Sequence, residues 1–566
     1  MLKLKKAFLL GMLSAAGFMQ VESSSSSSGD CSSSCSSDCD SPKSQNLWQP
    51  HAFSAYGSRE ILVMKDIYLS TDKEWVSRFG TATEYMQSFN NDNCHGLGAL
   101  PFWSGTNKMT IGDNSGDYDL DAYQFGLGNL ATVGDEVQSG TITLAPKVQH
   151  VGSEMMWYLV QNQDKPGFYS KVKLPLGAMI VNAKLCENPA TPYGASDDAY
   201  IVLSDQSQYS SGIAGFPQPL YYPNLTAALA GGTNLQNPVY KYGKYECCNH
   251  TVIRMGDIGV VLGMNFVVKD SGHFGIGAKV SCPTGNVPTA EYALEPIFGR
   301  AGHWGVGGEI TGHYKHEMDD ERYWTFWVQG EAMHLFAGRR PSWRSFDLKA
   351  NGAGSKYLLI QHYIYNNAGT AFIGDRYDAA INFTTLPVKS TFSVEGNFAM
   401  MFDYHHKNMN IALGGEFWGR SAEKLSIDSC NLNNLDNYNE DYNLNNWAVL
   451  GRQLGTEGSG GAYWCEPLAT ISKSQDRYER GDLPEGIKDA TLAANRIPQK
   501  YSDALDICGA AAHRVFTGKV LGELGYTWED HKHVPHVGLF GGAEFAAQSS
   551  RFVNLWSVGL QGTLQF

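Results

Sequence analysis

Six glutamates lie on the polar side of segments in which polar and apolar residues alternate. They are Glu309, Glu331, Glu395, Glu416, Glu523 and Glu544, and Lys519 lies on the same side of one of these segments. Counted from the nearest turns at ~3.3 Å per residue of strand, the last four glutamates fall at similar heights. Carboxylates spread around a wide ring are too far apart for general acid–base catalysis, but facing water they attract cations. The pattern therefore predicts an acidic, cation-preferring lining rather than a catalytic pair.

The same glutamates have a simpler explanation, because any water-facing surface needs hydrophilic residues. Bases such as Lys519 and Lys315 would then balance them. In a narrow enclosure the carboxylates would be buried in ion pairs and would leave no channel. The sequence leaves these alternatives open.

Three arginines, Arg339, Arg340 and Arg344, follow one alternating segment in AGRRPSWRSF. Arginine stays charged, and its planar group pairs well with carboxylates. If this segment folds inwards, the arginines would face the glutamates and form a constriction with a transverse electric field. The alternatives are an exposed loop and a surface site for anionic lipopolysaccharide.

Long alternating strands must position these charges. In STFSVEGNFAMMFDYHHKN, for example, Phe398 and Phe402 are on one side and Glu395 and Asn397 are on the other. Successive side chains of a strand point to opposite faces, so the apolar residues share one face. Strands of about ten residues or more are long for a soluble sheet but match the ~9–11 residues of a membrane-spanning β-strand. We therefore favour a transmembrane β-barrel over a soluble β-sandwich.

The chain ends on an alternating strand whose apolar side carries Val558, Leu560, Leu564 and Phe566. At the other end, lysines precede the apolar run AFLLGMLSAAGFM, which is the pattern of an export signal. Together with the alternating strands, these features resemble a bacterial outer-membrane β-barrel protein, without indicating a subfamily. The resemblance implies that the barrel assembly machinery reads these four C-terminal residues. It also implies a location in the outer membrane, in contact with its lipid and lipopolysaccharide.

The patterns divide the chain into four parts. Residues 1–20 are predicted to be a signal peptide, and residues 21–45 a Ser/Cys-rich disordered tract. Residues 46–117 are an N-terminal extension or a plug and include TATEYMQSFN, which is helix-like. Residues 118–566 are predicted to be an all-β, antiparallel up-and-down barrel of about 12–16 strands, with short periplasmic turns and long extracellular loops.

The direction of the strands follows from the sequence only after residue 389, because 366–388 fits either a loop or a strand. Further strands are expected at 118–131, 140–161, 167–185, 250–268, 272–283 and 355–365. The stretches 188–246 and 421–510 are expected to be long loops.

Composition and charge exclude several classes of function. Charged residues are 18% of the chain, below the ~25% usual in soluble domains. With a net charge of −14 the chain lacks the basic surface that nucleic acids require. No nucleophile–base cluster, H-E-x-x-H motif or phosphate loop is present, so we expect no enzyme activity, no metal and no cofactor. The 11 cysteines could cross-link chains, and a homo-oligomer is left open.

The sequence thus favours a porin-like channel through which small hydrophilic solutes diffuse passively, with a preference for cations. One alternative is a structural or adhesive surface protein that is cross-linked by its cysteines. Another is a substrate-specific transporter with a plugged interior. Reduction-sensitive multimers would favour the structural alternative, and an apolar internal pocket would favour a transporter of apolar ligands.

Overall fold

The computed structural model of the protein describes most of the chain after residue 43. The described residues are 44–45, 47–48, 50–65, 67, 75–89, 96–112, 118–121, 140–161, 166–189, 225–231, 240–245, 248–269, 271–365, 372–427, 447–449, 504–529, 531, 533–547 and 552–566. The predicted signal peptide, most of the Ser/Cys-rich tract and much of the two long loops lie outside these residues. None of the helices in the described ranges has the length and apolar character needed to cross a membrane.

Twelve strands form a closed antiparallel barrel. In chain order they are β1 (Trp75–Ser88), β2 (Lys147–Gln161), β3 (Gly167–Asn182), β4 (Ile258–Lys269), β5 (Gly272–Cys282), β6 (Trp304–Asp319), β7 (Arg322–Phe336), β8 (Thr385–His406), β9 (Met409–Arg420), β10 (Val515–Thr527), β11 (His536–Ala546) and β12 (Leu555–Gln565). Each strand pairs with the next along the chain, and β12 pairs with β1. The predicted all-β, up-and-down barrel is confirmed, at the lower end of the expected strand number.

The outer face of the barrel is apolar. Leu413, Leu262 and Phe168 are 70%, 67% and 65% exposed, and other large apolar side chains share this face. The inward residues between them are largely polar and buried, as a period of two requires. A bilayer offers no hydrogen-bond partners, so a sheet can cross it only when no edge is open. The closed barrel with its apolar exterior meets this condition, and the expected location in the bacterial outer membrane is confirmed.

The two ends of the barrel differ. Tight turns join β4 to β5, β6 to β7 and β8 to β9 at one end, and the five longest connections all lie at the other. We call these the short-turn end and the long-loop end. The chain enters β1 and stops at Phe566 at the short-turn end, where the Phe566 N–H donates to the Ser77 carbonyl at 2.7 Å. This closed meander fixes the strand directions before residue 389 that the sequence leaves open.

The barrel begins earlier in the chain than residue 118. Trp75–Ser88 is a wall strand that pairs with β2 on one side and with β12 on the other. Most of TATEYMQSFN, expected to be helix-like, therefore belongs to β1. Outward threonines weaken its local alternation, and the hydrogen bonds to two neighbouring strands decide its conformation.

Segments of the long connections form a cap at the long-loop end. Two stretches predicted as barrel strands belong to it instead, because Leu120–Asp121 and Leu359–Tyr365 join small separate sheets. The other short strands are Lys108–Gly112, Gly140–Leu144, Leu185–Pro189, His250–Met255, Ser342–Ser345, Asp347–Leu348, Phe372–Ala379, Glu423–Ile427, Trp447–Val449 and Leu505–Asp506. Short α-helices are Leu225–Leu229, Ile381–Thr384 and Ile507–Ala510, and 3₁₀ turns are Phe53–Ala55, Leu97–Ala99 and Ser355–Tyr357. Buried apolar residues hold the cap together, among them Tyr357, Phe383 and Trp447.

The segment before β1 runs through the interior of the barrel. Ser44 lies at the long-loop end, where Lys356 donates to its carbonyl oxygen. Lys65 lies near the short-turn end, where it pairs with Asp403 of β8 and Glu523 of β10. Between them lies the helix α1 (Gly57–Met64), all of whose residues are buried. We call residues 44–65 the plug segment.

Candidate functional site: the plugged barrel interior

The barrel wall caps the first turn of α1. The backbone N–H groups of Gly57 and Ser58 donate to the two carboxylate oxygens of Glu416 on β9, at 2.8 and 3.1 Å. The first N–H groups of a helix have no partner within it, and a negative charge beside them is favourable. Because a helix of 8 residues is marginal on its own, α1 depends on these wall contacts for its stability.

Arg59 joins the plug segment to β1 and β2. Its guanidinium pairs with Glu84 and, at 3.0 Å, with Glu154, and it donates to the Phe53 carbonyl at 2.6 Å. Arg59 is 1% exposed, and both glutamates are fully buried. Two carboxylates thus compensate the burial of one guanidinium, which does not lose its proton in proteins. The arginine therefore stays charged inside the barrel.

Glu60 joins the plug segment to β3 and β7. Its Oε1 accepts from Lys171 Nζ at 2.6 Å and from the Gln329 amide at 3.0 Å, while Oε2 pairs with Lys173. The ammonium groups of the two lysines compensate the burial of this carboxylate. Glu60 is therefore a carboxylate held by two ammonium groups and an amide.

Lys65 makes the third charged contact of the plug segment. Its Nζ lies 3.2 Å from Asp403 Oδ2 and pairs also with Glu523, and all three side chains are fully buried. Each ionised residue from Arg59 to Lys65 thus meets the opposite charge on the wall. The plug segment and the barrel interior are complementary in charge.

Wall glycines make room for the plug segment. A Cβ at Gly152 of β2 would lie 2.7 Å from the Phe53 ring, and a Cβ at Gly80 of β1 would lie 2.5 Å from Val63. The apolar side chains of α1 pack in a buried cluster with inward residues such as Trp327. Packing as well as ion pairing therefore holds the plug segment in place.

All seven residues predicted to line a pore lie buried in the barrel wall, but they do not form a single belt. Lys519 is opposite both Glu416 and Glu544 in the strand ladders. Glu395 lies four residues nearer the long-loop end than this level, and Glu523 four residues nearer the short-turn end. The height of each residue in the barrel depends on the register between paired strands. The heights in the structure therefore differ from those estimated by counting residues from the turns.

Each of these seven residues has a hydrogen-bond or ion-pair partner. This is the paired, buried arrangement that the sequence left open for a narrow enclosure. The contacts are Glu309 with Lys171 (2.6 Å), Glu331 with Lys279, Glu395 with Arg300 (2.6 Å), Glu416 with Gly57 and Ser58, Glu523 with Lys65, Glu544 with Tyr56 (2.7 Å) and His51 (3.1 Å), and Lys519 with Glu84 (3.0 Å).

The predicted arginine constriction does not form. Arg339 and Arg340 are exposed, and Arg344 pairs with Glu423 at 2.6 Å among the segments of the cap. An arginine that does reach the interior from a connection is Arg300, which the connection between β5 and β6 carries inwards to Glu395. Sequence reasoning missed Arg300 because its connection shows no alternation that would indicate a direction.

The charges that hold the plug segment were also missing from the predicted site. They are Arg59, Glu60, Lys65, Glu84, Glu154, Lys171, Lys173 and Asp403. Those on β2, β3 and β8 obey the same alternation rule as the predicted glutamates, so the rule applied to every strand would have found them. Glu84 was hidden by the helix-like reading of its strand.

The four residues of the predicted assembly signal, Val558, Leu560, Leu564 and Phe566, face outwards and are exposed. In the cap, Cys186 and Cys248 are free and exposed, whereas Cys508 is disulfide-bonded. The N-terminal cysteines lie outside the described residues.

Three buried carboxylates, those of Glu60, Glu309 and Glu331, come close enough to share a cation. Lysines already neutralise all three, through Lys171, Lys173 and Lys279. A cation would have to displace these ammonium groups, so the donor set does not fit a metal ion.

Asp257, the residue before β4, anchors the connection that carries Arg300. It accepts from the Gly285 N–H at 3.2 Å, and burial raises its pKa to about 6. This pKa exceeds that of the unfolded chain, so the folded barrel should lose up to about 3 kcal/mol of unfolding free energy as the pH rises from about 4 to about 6. Urea unfolding measured across this pH range tests the expectation, and Asp257→Asn should flatten the pH dependence.

The matched control is Asp319→Asn, which removes an exposed carboxylate beside Arg322 at the β6–β7 turn. It should leave the pH dependence between 4 and 6 as in the wild type. An Asp257→Asn barrel with the wild-type slope would show that another group is responsible.

No protein-family model and no curated protein matches the chain. Among solved structures it is similar to an outer-membrane channel of Pseudomonas putida F1, with 10% identity over 89% of this chain and 100% of that chain and a TM-score of 0.36. A FadL homologue of Pseudomonas aeruginosa gives 9% identity over 93% and 98% of the two chains and a TM-score of 0.27. The toluene transporter TbuX of Ralstonia pickettii gives 8% identity over 93% and 97% and a TM-score of 0.26.

Proposed function

We propose that the protein is an outer-membrane channel for small polar solutes that its own plug segment closes at rest. The observation that carries this proposal is the charge complementarity between the plug segment and the barrel wall. Arg59 and Lys65 neutralise wall carboxylates, and Glu60 neutralises wall lysines. If the plug segment leaves, these wall charges lose their partners and must be hydrated, which favours a water-filled passage.

A gated channel fits the interior better than a permanently open porin. A buried helix occupies the space through which solutes would diffuse. The gated channel retains the polar lining and the passive diffusion expected from the sequence. It would prefer cations, because departure of the plug segment frees more carboxylates, such as Glu154 and Asp403, than bases.

Single-channel recording in planar bilayers tests this proposal. Full-length protein should open rarely, whereas a variant that lacks residues 44–65 should conduct steadily and prefer cations. Gly152→Leu provides an independent opening variant, because its side chain would collide with Phe53 without removing any charge. It should increase the frequency of openings.

Gly562→Leu is the matched control for the glycine variant. Gly562 lies on the outer side of β12, where a Cβ would meet its nearest atom at 3.9 Å. This variant should open as rarely as the wild type. A plug-deleted barrel that is folded, as judged by heat-modifiable migration, and still passes no current would refute the proposal.

The proposal implies partners but no catalysis and no cofactor. The apolar outer face would contact membrane lipid and, in the outer leaflet, lipopolysaccharide. The barrel assembly machinery would read β12. The small polar solutes would contact only the interior.

A further inference from the structure

The wall around Glu60 carries more positive than negative charge. Three lysines meet two glutamates there, and all five side chains are buried. They are Lys171 and Lys173 of β3, Lys279 of β5, Glu309 of β6 and Glu331 of β7. With Glu60 in place the group is neutral. Without it, Lys173 loses its ion-pair partner and Lys171 keeps only Glu309 among the described residues, and an anion in the place of the Glu60 carboxylate would restore both contacts.

Glu60 contacts this wall as a free carboxylate would. One oxygen accepts from Lys171 and from the Gln329 amide, and the other pairs with Lys173. Hydrogen bonds from a charged and a neutral donor at one oxygen and an ion pair at the other hold this carboxylate in a fixed place. Among the described residues, the ion pairs of Lys173 involve Glu60 alone.

We propose that Lys171, Lys173 and Gln329 form a binding site for the carboxylate group of a permeating solute, which Glu60 occupies in the closed state. The inference rests on the proposed function in one respect, namely that the plug segment leaves the barrel interior. Glu60 is then a tethered competitor of the solute. The class of ligand is a small carboxylate whose remaining surface is polar. The site is a local group of bases within an interior whose freed carboxylates, such as Glu154 and Asp403, outnumber its freed bases.

Competition for one site makes the ligand an opener of the channel. A solute that binds only where Glu60 has left stabilises the open state by its binding free energy. The coupling is reciprocal, so a plug segment that is held more tightly must weaken the solute's binding. A carboxylate should therefore loosen α1, whereas a neutral solute of the same shape should not.

Hydrogen exchange of the α1 amides in the refolded full-length protein tests the site without relying on current. Potassium succinate is the probe, succinamide is the neutral analogue of the same skeleton, and potassium chloride at equal ionic strength controls for screening. Succinate should accelerate the exchange of residues 57–64 by about fivefold or more, which is a typical coupling between two ligands. Neither succinamide nor potassium chloride should do so.

Lys173→Gln should remove the response to succinate, because the probe loses one of its two ammonium partners. Lys315→Gln removes a lysine that pairs with Glu317 near the short-turn end and should respond as the wild type does. An exchange rate that succinate leaves unchanged, or changes equally in Lys173→Gln, would overturn the binding site.

The outcomes separate the site from the channel. If the plug-deleted barrel conducts but succinate has no effect beyond that of potassium chloride, the binding site is refuted and the channel stands. If succinate loosens α1 but the plug-deleted barrel passes no current, the carboxylate site stands and the channel is refuted.

Discussion

Replacing Arg59 with methionine is expected to raise the open probability of the proposed channel by about a hundredfold. The substitution keeps an unbranched, mostly apolar stem but removes the guanidinium, so the buried Glu154 loses its base. Loss of one partner from a buried ion pair costs ~3–5 kcal/mol, and ~1.4 kcal/mol corresponds to a factor of ten in an equilibrium. Because Arg59 belongs to the segment that leaves in the proposed opening, this cost falls on the closed state. Single-channel recording of the full-length variant measures the change.

A second substitution should restore the closed state. In Arg59→Met with Glu154→Gln, no buried charge is left alone, because Glu84 keeps Lys519 at 3.0 Å. Arg322→Met is the matched control, since Arg322 pairs with Asp319 at an exposed turn and exposed pairs contribute little. An Arg59→Met barrel that is folded and as firmly closed as the wild type would contradict the assigned role of the plug segment.

Deleting Phe566 is expected to remove most of the folded barrel from the outer membrane. The backbone of this residue exchanges two hydrogen bonds with Ser77 and so completes the seam between β12 and β1. Its ring points outwards and is 47% exposed, which makes it accessible to an assembly factor before insertion. Heat-modifiable protein in isolated outer membranes measures the effect.

Phe417→Ala separates recognition from the general loss of lipid-facing apolar surface. Phe417 also faces outwards, is 45% exposed and lies within β9 rather than at the chain end. We expect Phe417→Ala to insert nearly as well as the wild type and Phe566→Ala to insert poorly. Equal defects in the two variants would mean that Phe566 contributes only apolar area.

The alternation of polar and apolar residues was sufficient to predict the walls of the barrel. In β8 to β12 the inner and outer faces follow directly from the sequence, because side-chain direction in a strand depends only on position. The same rule placed Glu395, Glu416 and Glu523 in the barrel interior. It said nothing about their neighbours, since the partner of a residue in a sheet depends on the register between strands.

Segments with weak local patterns needed the tertiary structure. Trp75–Ser88 became a wall strand because β2 and β12 pair with both of its edges. Arg300 reaches the interior from a connection whose sequence indicates no direction. Arg344, in contrast, is held in the cap by Glu423. For each of these residues, contacts distant in sequence decide the position.

By itself, the sequence determined that this protein forms a closed β-barrel with an apolar exterior and a charged interior, because a period of two is a local property of the chain. Only the tertiary structure decided that the interior is filled. The contacts of Arg59 with Glu84 and Glu154, of Glu60 with Lys171, and of Lys65 with Glu523 join residues that are 25 to 458 positions apart. Complementary charges at such separations meet only after the barrel has closed around the plug segment, and no pattern within a single strand encodes that encounter.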